Sequence, residues 1–274
     1  MIEQAALKAP PGACDCHMHI YDPRYKPAAT SPAPPPVAPV EAYREIQKAL
    51  GLSRAIVVQP NAYGFDNACT EQAVRELGSE SRGVATVPPD VSESELQRLT
   101  DAGFRGARCH MLPGGMLSWD DVAVIAGRIE PFDWHVQLQF DGRDLPRLRS
   151  HIDRLPVDRV IDHNGKFIEP VRTDDPAFTT LLELLDQGRT WVKLSAPYET
   201  SKAGPPHYAD VSALAHRLAA THSDRCVWAS NWPHPNVKPS PSTAAMLDLM
   251  LHWADDEETR RLILVDNPAE LYGF

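Results

Sequence analysis

The run Cys14-Asp15-Cys16-His17-Met18-His19 places two imidazoles two residues apart at the end of a short apolar segment. In an extended strand, residues i and i+2 project to the same side, roughly 7 Å apart at about 3.3 Å rise per residue. Two imidazoles so placed can grip a metal ion or polarise one substrate. Tyr21-Asp22-Pro23 ends the run, which puts the pair at a strand's carboxyl end, where parallel α/β folds build their sites. Other apolar runs end in polar side chains too. Gln59, Asn61 and Tyr63 follow one, Arg108 and His110 close another, and Gln139 with Asp141 a third. Asp162-His163-Asn164-Gly165-Lys166 comes next, then Lys193 with Ser195 and Tyr198, then Asn231 with His234. Any one of these alone reads as a cap or a loop hydrogen bond; the functional reading rests on the set.

The elements that must position them alternate along the whole chain. Strands are predicted at the first run and at 55–59, 83–87, 106–110, 135–140, 159–162, 190–194 and 226–230. Helical spacing fills 41–50, 67–77, 92–102, 118–129, 144–153, 176–187 and 208–222, and continues at 242–253 and 257–265. Gly51 caps the first helix, and Ser92 with Glu95 forms a capping box on the third. Apolar strands separated by amphipathic helices imply a parallel sheet covered by helices. Eight such units predict a closed (β/α)8 TIM barrel, a single domain over 1–274, whose strand ends converge on one mouth. A doubly wound sheet would want a Gly-rich turn after its first strand, and His17-Met18-His19 stands there instead. Residues 22–39 contain seven prolines and no period, so a long loop is expected, of the kind that often serves as a lid or binding loop.

Composition narrows the class. With 43% hydrophobic and 23% charged residues, the chain reads as a soluble globular protein. The start Met1-Ile2-Glu3-Gln4 lacks the basic and apolar parts of a secretory signal, so a cytoplasmic location is expected. Five cysteines without a Cys-x-x-Cys motif point to buried thiols. A net charge of −10 argues against nucleic acid and anionic membrane as partners, while leaving room for a local arginine pocket. The expected partner is a small molecule, and assembly into a homo-oligomer is compatible with the sequence.

His17-Met18-His19, Asp162-His163 and the ending Trp228-Ala229-Ser230-Asn231-Trp232-Pro233-His234-Pro235 resemble the amidohydrolase superfamily, in the amidohydrolase-2 branch that contains 2-pyrone-4,6-dicarboxylate lactonase and D-galactarolactone isomerase. The similarity runs nearly end to end. With the lactonase it covers 82–87, 134–136, Pro233-His234-Pro235-Asn236 and 264–268; with the isomerase it covers 112–115, 139–142, 165–167, 172–174, Tyr198-Glu199 and Asn231. The second group lies nearer the mouth.

The resemblance implies that hydrolytic members carry an aspartate at Asn231, as the base that activates water. An amide has no titratable acceptor near neutral pH; it can orient a hydroxyl but cannot be a general base. The change also removes a metal ligand. His17, His19 and His163 could still hold zinc as a three-His set, yet without the carboxylate no catalytic metal and no cofactor are expected. A sugar-acid lactone can supply its own nucleophile, a hydroxyl that attacks the acyl carbon at high effective molarity. His163 is the candidate base or acid, His17 and His19 polarise the carbonyl, and Asn231 holds the attacking hydroxyl. Arg108 clamps the substrate carboxylate, with Asn61, Gln139, Lys166, Tyr198 and His234 as further contacts. Gly114 stands near the place of the second arginine that the lactonase uses for its flat dicarboxylate, which favours a polyhydroxylated, singly charged lactone. Metal-independent isomerisation therefore stands ahead of hydrolysis, and a barrel that only binds a sugar acid is the third reading.

Overall fold

A computed structural model describes residues 4–274 apart from Pro32 and Asn236. The readings made on Met1 to Glu3, on Pro32 of the proline-rich loop and on Asn236 of the closing motif lie outside the described residues. Eight strands run in sequence order round one sheet, every neighbouring pair parallel. They are β1 (Cys14–Met18), β2 (Arg54–Val58), β3 (Ser81–Ala85), β4 (Phe104–His110), β5 (His135–Gln139), β6 (Arg159–Ile161), β7 (Thr190–Leu194) and β8 (Cys226–Trp228). Helices α1 (Val40–Leu50), α2 (Ala68–Leu77), α3 (Glu93–Asp101), α4 (Trp119–Ile129), α5 (Leu145–Asp153), α6 (Pro176–Asp186) and α7 (Ala209–His222) lie between them. The fold is a (β/α)8 barrel. Its interior is packed rather than hollow: Cys14, Cys16, Ile56, Val58, Val84, Val160, Trp191, Val227 and Ala229 form one buried cluster, stoppered below by Tyr272. All five cysteines are buried free thiols.

The mouth is tied shut where the last strand meets the first. The backbone N–H of Asn231 donates to the His17 carbonyl, and that of His19 to the Trp232 carbonyl, both at 2.8 Å. Beneath them the buried Asp15 carboxylate accepts from the Ser230 N–H (2.9 Å) and hydroxyl (2.5 Å), the Tyr43 hydroxyl (3.1 Å) and the His17 N–H (3.2 Å). One carboxylate thus holds β1, the chain after β8 and α1 together. Burial raises its pKa, and these hydrogen bonds oppose the rise.

Boundaries shift in several places, β4 starting two residues early and β8 ending two residues early among them. β3 begins two residues before the expected 83–87, because its ladder to β2 starts at Ser81 against Ala55; Val87 is buried as loop rather than strand. The helix expected over 242–253 divides at Leu249 into α8 (Thr243–Asp248) and α9 (Met250–Trp253). The one expected over 257–265 is α10 (Glu257–Arg261), followed by a wide turn at Leu262–Asp266 and α11 (Asn267–Tyr272). Pro268 has no N–H to return to the Leu264 carbonyl, so the backbone widens there without stopping. Sequence period alone ended this helix too early.

The proline-rich loop is closed at its base by paired backbone hydrogen bonds between Tyr21 and Ala38. The Tyr63 hydroxyl lies 3.0 Å from the Asp22 N–H and 3.2 Å from its carbonyl, and the Ala28 N–H donates to the Ala62 carbonyl at 2.8 Å. So pinned, the loop lays Ser31, Ala33 and Pro34 to Pro36 along one wall of the mouth. No helix among the described residues is long and apolar enough to cross a membrane.

Candidate active site at the barrel mouth

A cavity of about 420 Å³ opens at the carboxyl ends of the strands, where barrels of this kind place their sites. His19, Asn61, Arg108, Gln139, His163, Lys166, Tyr198 and Asn231 all line it, although they come from seven different strand ends. His17 and His234 do not. His17 is fully buried one layer below. His234, expected as a substrate contact, stands behind Tyr198, its Nδ1 3.0 Å from the phenol oxygen and its Nε2 2.9 Å from Thr243 Oγ1. Gln59 also turns away, donating to the Gly64 and Asp66 carbonyls and accepting from Thr70. Asp141 caps its own turn and pairs with Arg143.

The two imidazoles of the first strand meet more closely than simple alternation implies. β1 carries one extra residue against β2 between Asp15 and Met18, and such a bulge re-aims side chains. The rings come edge to face with their Nε2 atoms 3.2 Å apart. His19 Nδ1 faces the Val58 carbonyl at 2.8 Å; a carbonyl only accepts, so the His19 proton is on Nδ1 and its Nε2 is an acceptor. His17 must then donate from Nε2 and accept at Nδ1, where Lys193 Nζ and Gln137 Nε2 each lie 3.3 Å away. Both N–H groups are spent inside the protein. In this arrangement the pair, expected to polarise a substrate carbonyl, has no N–H left to offer one; His19 lines the cavity and His17 lies beneath it.

Lys193 and Asp162 are the charged groups beneath that pair, both fully buried. Lys193 Nζ donates to Gln137 Oε1 at 2.7 Å and stands 3.7 Å from Asp162 Oδ1, while Gln137 Nε2 donates to Asp162 Oδ2 at 3.1 Å. Asp162 keeps a lowered pKa despite the opposing burial, because the Lys193 and Arg108 charges and the Gln137 hydrogen bond offset it. Asp162 does not orient His163; that ring turns its Nδ1 to Ser195 Oγ at 2.8 Å. Burial drives the pKa of both His17 and His163 well below the ordinary histidine value, and that of His19 to about 3. All three rings are neutral near pH 7, and His163, the candidate base or acid, is a much weakened base.

Among the described residues, His17, Asp162 and His163 are the group of three whose ligand atoms converge, all within 4.8 Å of one another; His19 is not part of it, contrary to the three-imidazole set. The donor chemistry of this group does not fit a divalent ion. The carboxylate already faces the Lys193 ammonium, which also lies against His17 Nδ1, and a second cation there would be repelled at short range in a poorly screened interior.

The cavity's remaining polarity is directional. Arg108 donates through Nη1 to the Gln59 carbonyl (2.9 Å) and Asn61 Oδ1 (3.2 Å), and through Nη2 to Gln139 Oε1 (2.7 Å). Its Nε and the Nδ1 of neighbouring His110 are buried without protein partners. Asn231 sits at φ 57, a left-handed conformation that asparagine tolerates better than most residues. Both its amide hydrogens are engaged, with the Tyr198 hydroxyl and Glu199 Oε1 each at 2.9 Å, and Glu199 also pairs with Lys166 Nζ. The sequence reading gave no role to Glu199 or Lys193. Glu199 lies five residues past the end of β7, in a turn at Pro197–Glu199, beyond the strand-end window.

The barrel's first strand carries His-x-His at its carboxyl end, with His163 and Asn231 across the same mouth, and the chain belongs to the amidohydrolases: the Amidohydrolase family model matches residues 14–274. Among curated relatives it is 38% identical to the D-galactarolactone isomerase of Agrobacterium fabrum over 271 residues, covering 96% of this chain and 91% of the relative. It is 34% identical to the 2-pyrone-4,6-dicarboxylate hydrolase of Comamonas testosteroni, covering 97% and 92%. An apo crystal structure from Agrobacterium tumefaciens superposes with a TM-score of 0.93 at 37% identity, covering 97% of each chain.

Proposed function

We propose that this amidohydrolase is a lactone-acting enzyme that isomerises a carboxylated sugar-acid lactone by moving the acyl group from one hydroxyl of the substrate to another, without a metal ion. The observation that carries the reading is Asn231. The residue at the end of the last strand is an amide with both N–H groups locked, so only Oδ1 is free, and that oxygen can hold a hydroxyl but cannot keep its proton. Arg108, braced by Asn61 and Gln139, lines the cavity with one Nη2 hydrogen unspent for a carboxylate, and Lys166 and the open ring nitrogen of His163 face the same space. When Ser195 donates to His163 Nδ1, the His163 proton stands on Nε2, in position to bond the acyl oxygen as negative charge develops there. A tethered hydroxyl then outcompetes water through its effective molarity. The similarity to a lactone isomerase and a lactone hydrolase supports the substrate class.

The test is turnover of a panel of aldaric acid lactones in 18O-labelled water. Isomerisation yields a new lactone without label; hydrolysis puts one labelled oxygen into the product carboxylate and releases acid. Asn231→Asp is expected to raise labelled, ring-opened product at least tenfold, because it places a titratable acceptor where the amide stands. Label in the wild-type product would replace this reading with the hydrolytic one, and ligand-induced stabilisation without turnover would replace it with the binding one.

A further inference from the structure

We infer that Glu199 is the catalytic base and acid of this site, taking the proton from the attacking hydroxyl and returning it to the departing one; the inference rests on the isomerisation reading above. Transfer of an acyl group between two hydroxyls needs a group that accepts one proton and gives one back. The imidazoles are poorly suited. His17 and His19 have their ring nitrogens engaged with each other and with the protein, and His163 is a much weakened base in its buried position. Asp162 lies beneath the cavity, fully buried and facing Lys193. Glu199 differs from all of these. It lines the cavity, with its side chain 18% exposed, one oxygen 2.9 Å from the Asn231 amide and the other on the Lys166 ammonium. A hydroxyl held by Asn231 Oδ1 is thus one side chain away from a carboxylate.

The step balances within the site. The hydroxyl oxygen bonds to the acyl carbon as its proton passes to a Glu199 oxygen, and the tetrahedral oxyanion forms beside His163 and the Lys166 ammonium. The ring ester C–O bond then breaks, and the departing oxygen takes that proton back. Both oxygens are on one carbon, so one carboxyl group reaches both, and the enzyme ends in its starting protonation state. No water or outside acid is consumed. A carboxylate supplied after the seventh strand would thus do for a substrate hydroxyl what the last-strand aspartate of hydrolytic relatives does for water.

The experiment compares Glu199→Gln with Glu199→Asp on whichever lactone the wild type isomerises; a wild type that isomerises no lactone defeats the functional reading and this inference with it, whereas the variants decide the inference alone. Glu199→Gln keeps an acceptor for the Asn231 amide. It is expected to lower kcat by 10²-fold or more with KM within about threefold, and to abolish the acidic limb of the pH profile of kcat/KM. Glu199→Asp should retain that limb at reduced kcat. Melting curves and binding of the open-chain diacid, read separately, show whether either variant folds; if the Gln variant does not, the Asp variant's limb decides. Turnover of Glu199→Gln within threefold of wild type would overturn the assignment, and so would a slow variant whose acidic limb is unchanged, which would make Glu199 a positioning residue only.

Discussion

Arg108 carries the recognition of negative charge in this mouth, and its geometry says what a substitution should do. Three acceptors fix the plane of the guanidinium, so the charge and the hydrogen left on Nη2 are held in place for a carboxylate. Arg108→Lys keeps the charge and loses the fork; kcat/KM on a carboxylated lactone is expected to fall ten- to a hundredfold, about 1.4–3 kcal/mol, mainly through KM. Lys166 sets the other side. Burial lowers its pKa to about 8, Asp162 opposing and Arg108 adding to the effect. The ammonium is present below that pH and lost above it, so turnover is expected to decline as the pH rises through about 8, and Lys166→Arg to move the decline upward; a rate flat to pH 9.5 would remove Lys166 from the mechanism. Most of the mouth was legible at this scale, because a polar residue ending an apolar run is visible in a string of letters. The partner of each nitrogen was not, and the tautomers of His17 and His19 follow only from the Val58 carbonyl and the Lys193 ammonium, which are remote in sequence.

At the scale of elements, the join between β1 and the chain after β8 is the part most sensitive to change. Removing the Asp15 carboxylate leaves Ser230, Tyr43 and the His17 N–H without their acceptor in a buried place, and each orphaned group costs about 1–3 kcal/mol. Asp15→Ala is therefore expected to lower stability by about 3–5 kcal/mol, measured by denaturant unfolding, with activity falling alongside because His17 and Asn231 share that seam. A loss under 1 kcal/mol would mean that the backbone bonds close the barrel unaided. The eight strands and most helices were readable from period, since each strand is covered on both faces and each helix on one. The bulge in β1, the wide turn before Pro268 and the two-residue displacement of β3 were not. They are set by hydrogen-bond registers with neighbouring strands and by a missing N–H, which hydrophobic pattern does not record.

At the scale of the molecule, buried imidazoles make stability depend on pH. Burial holds His19 and His135 at about 3 and His234 at about 4, against about 6.5 in an unfolded chain. Between those values the unfolded chain binds more protons, so stability is whole above pH 6.5 and lost as the pH falls below it, by up to about 1.4 kcal/mol per pH unit for each ring. Near pH 5 the three together approach about 6 kcal/mol, comparable with the whole stability of many domains; Asp15, raised by burial, works against this. The melting temperature is expected to drop steeply between pH 6.5 and 5, and a constant value across that range would show that these rings take up protons while folded.

The sequence by itself determined the (β/α)8 barrel, the family, and the convergence of distant strand ends on one mouth, because hydrophobic period and the residues that interrupt it are local properties of the chain. Only the tertiary structure decided that His17 and His234 stand behind the cavity, that Lys193 faces the carboxylate of Asp162, and that Glu199 reaches Asn231. Those relations depend on which atoms meet across the barrel and on how far each is removed from water, and both are fixed only when the strands close.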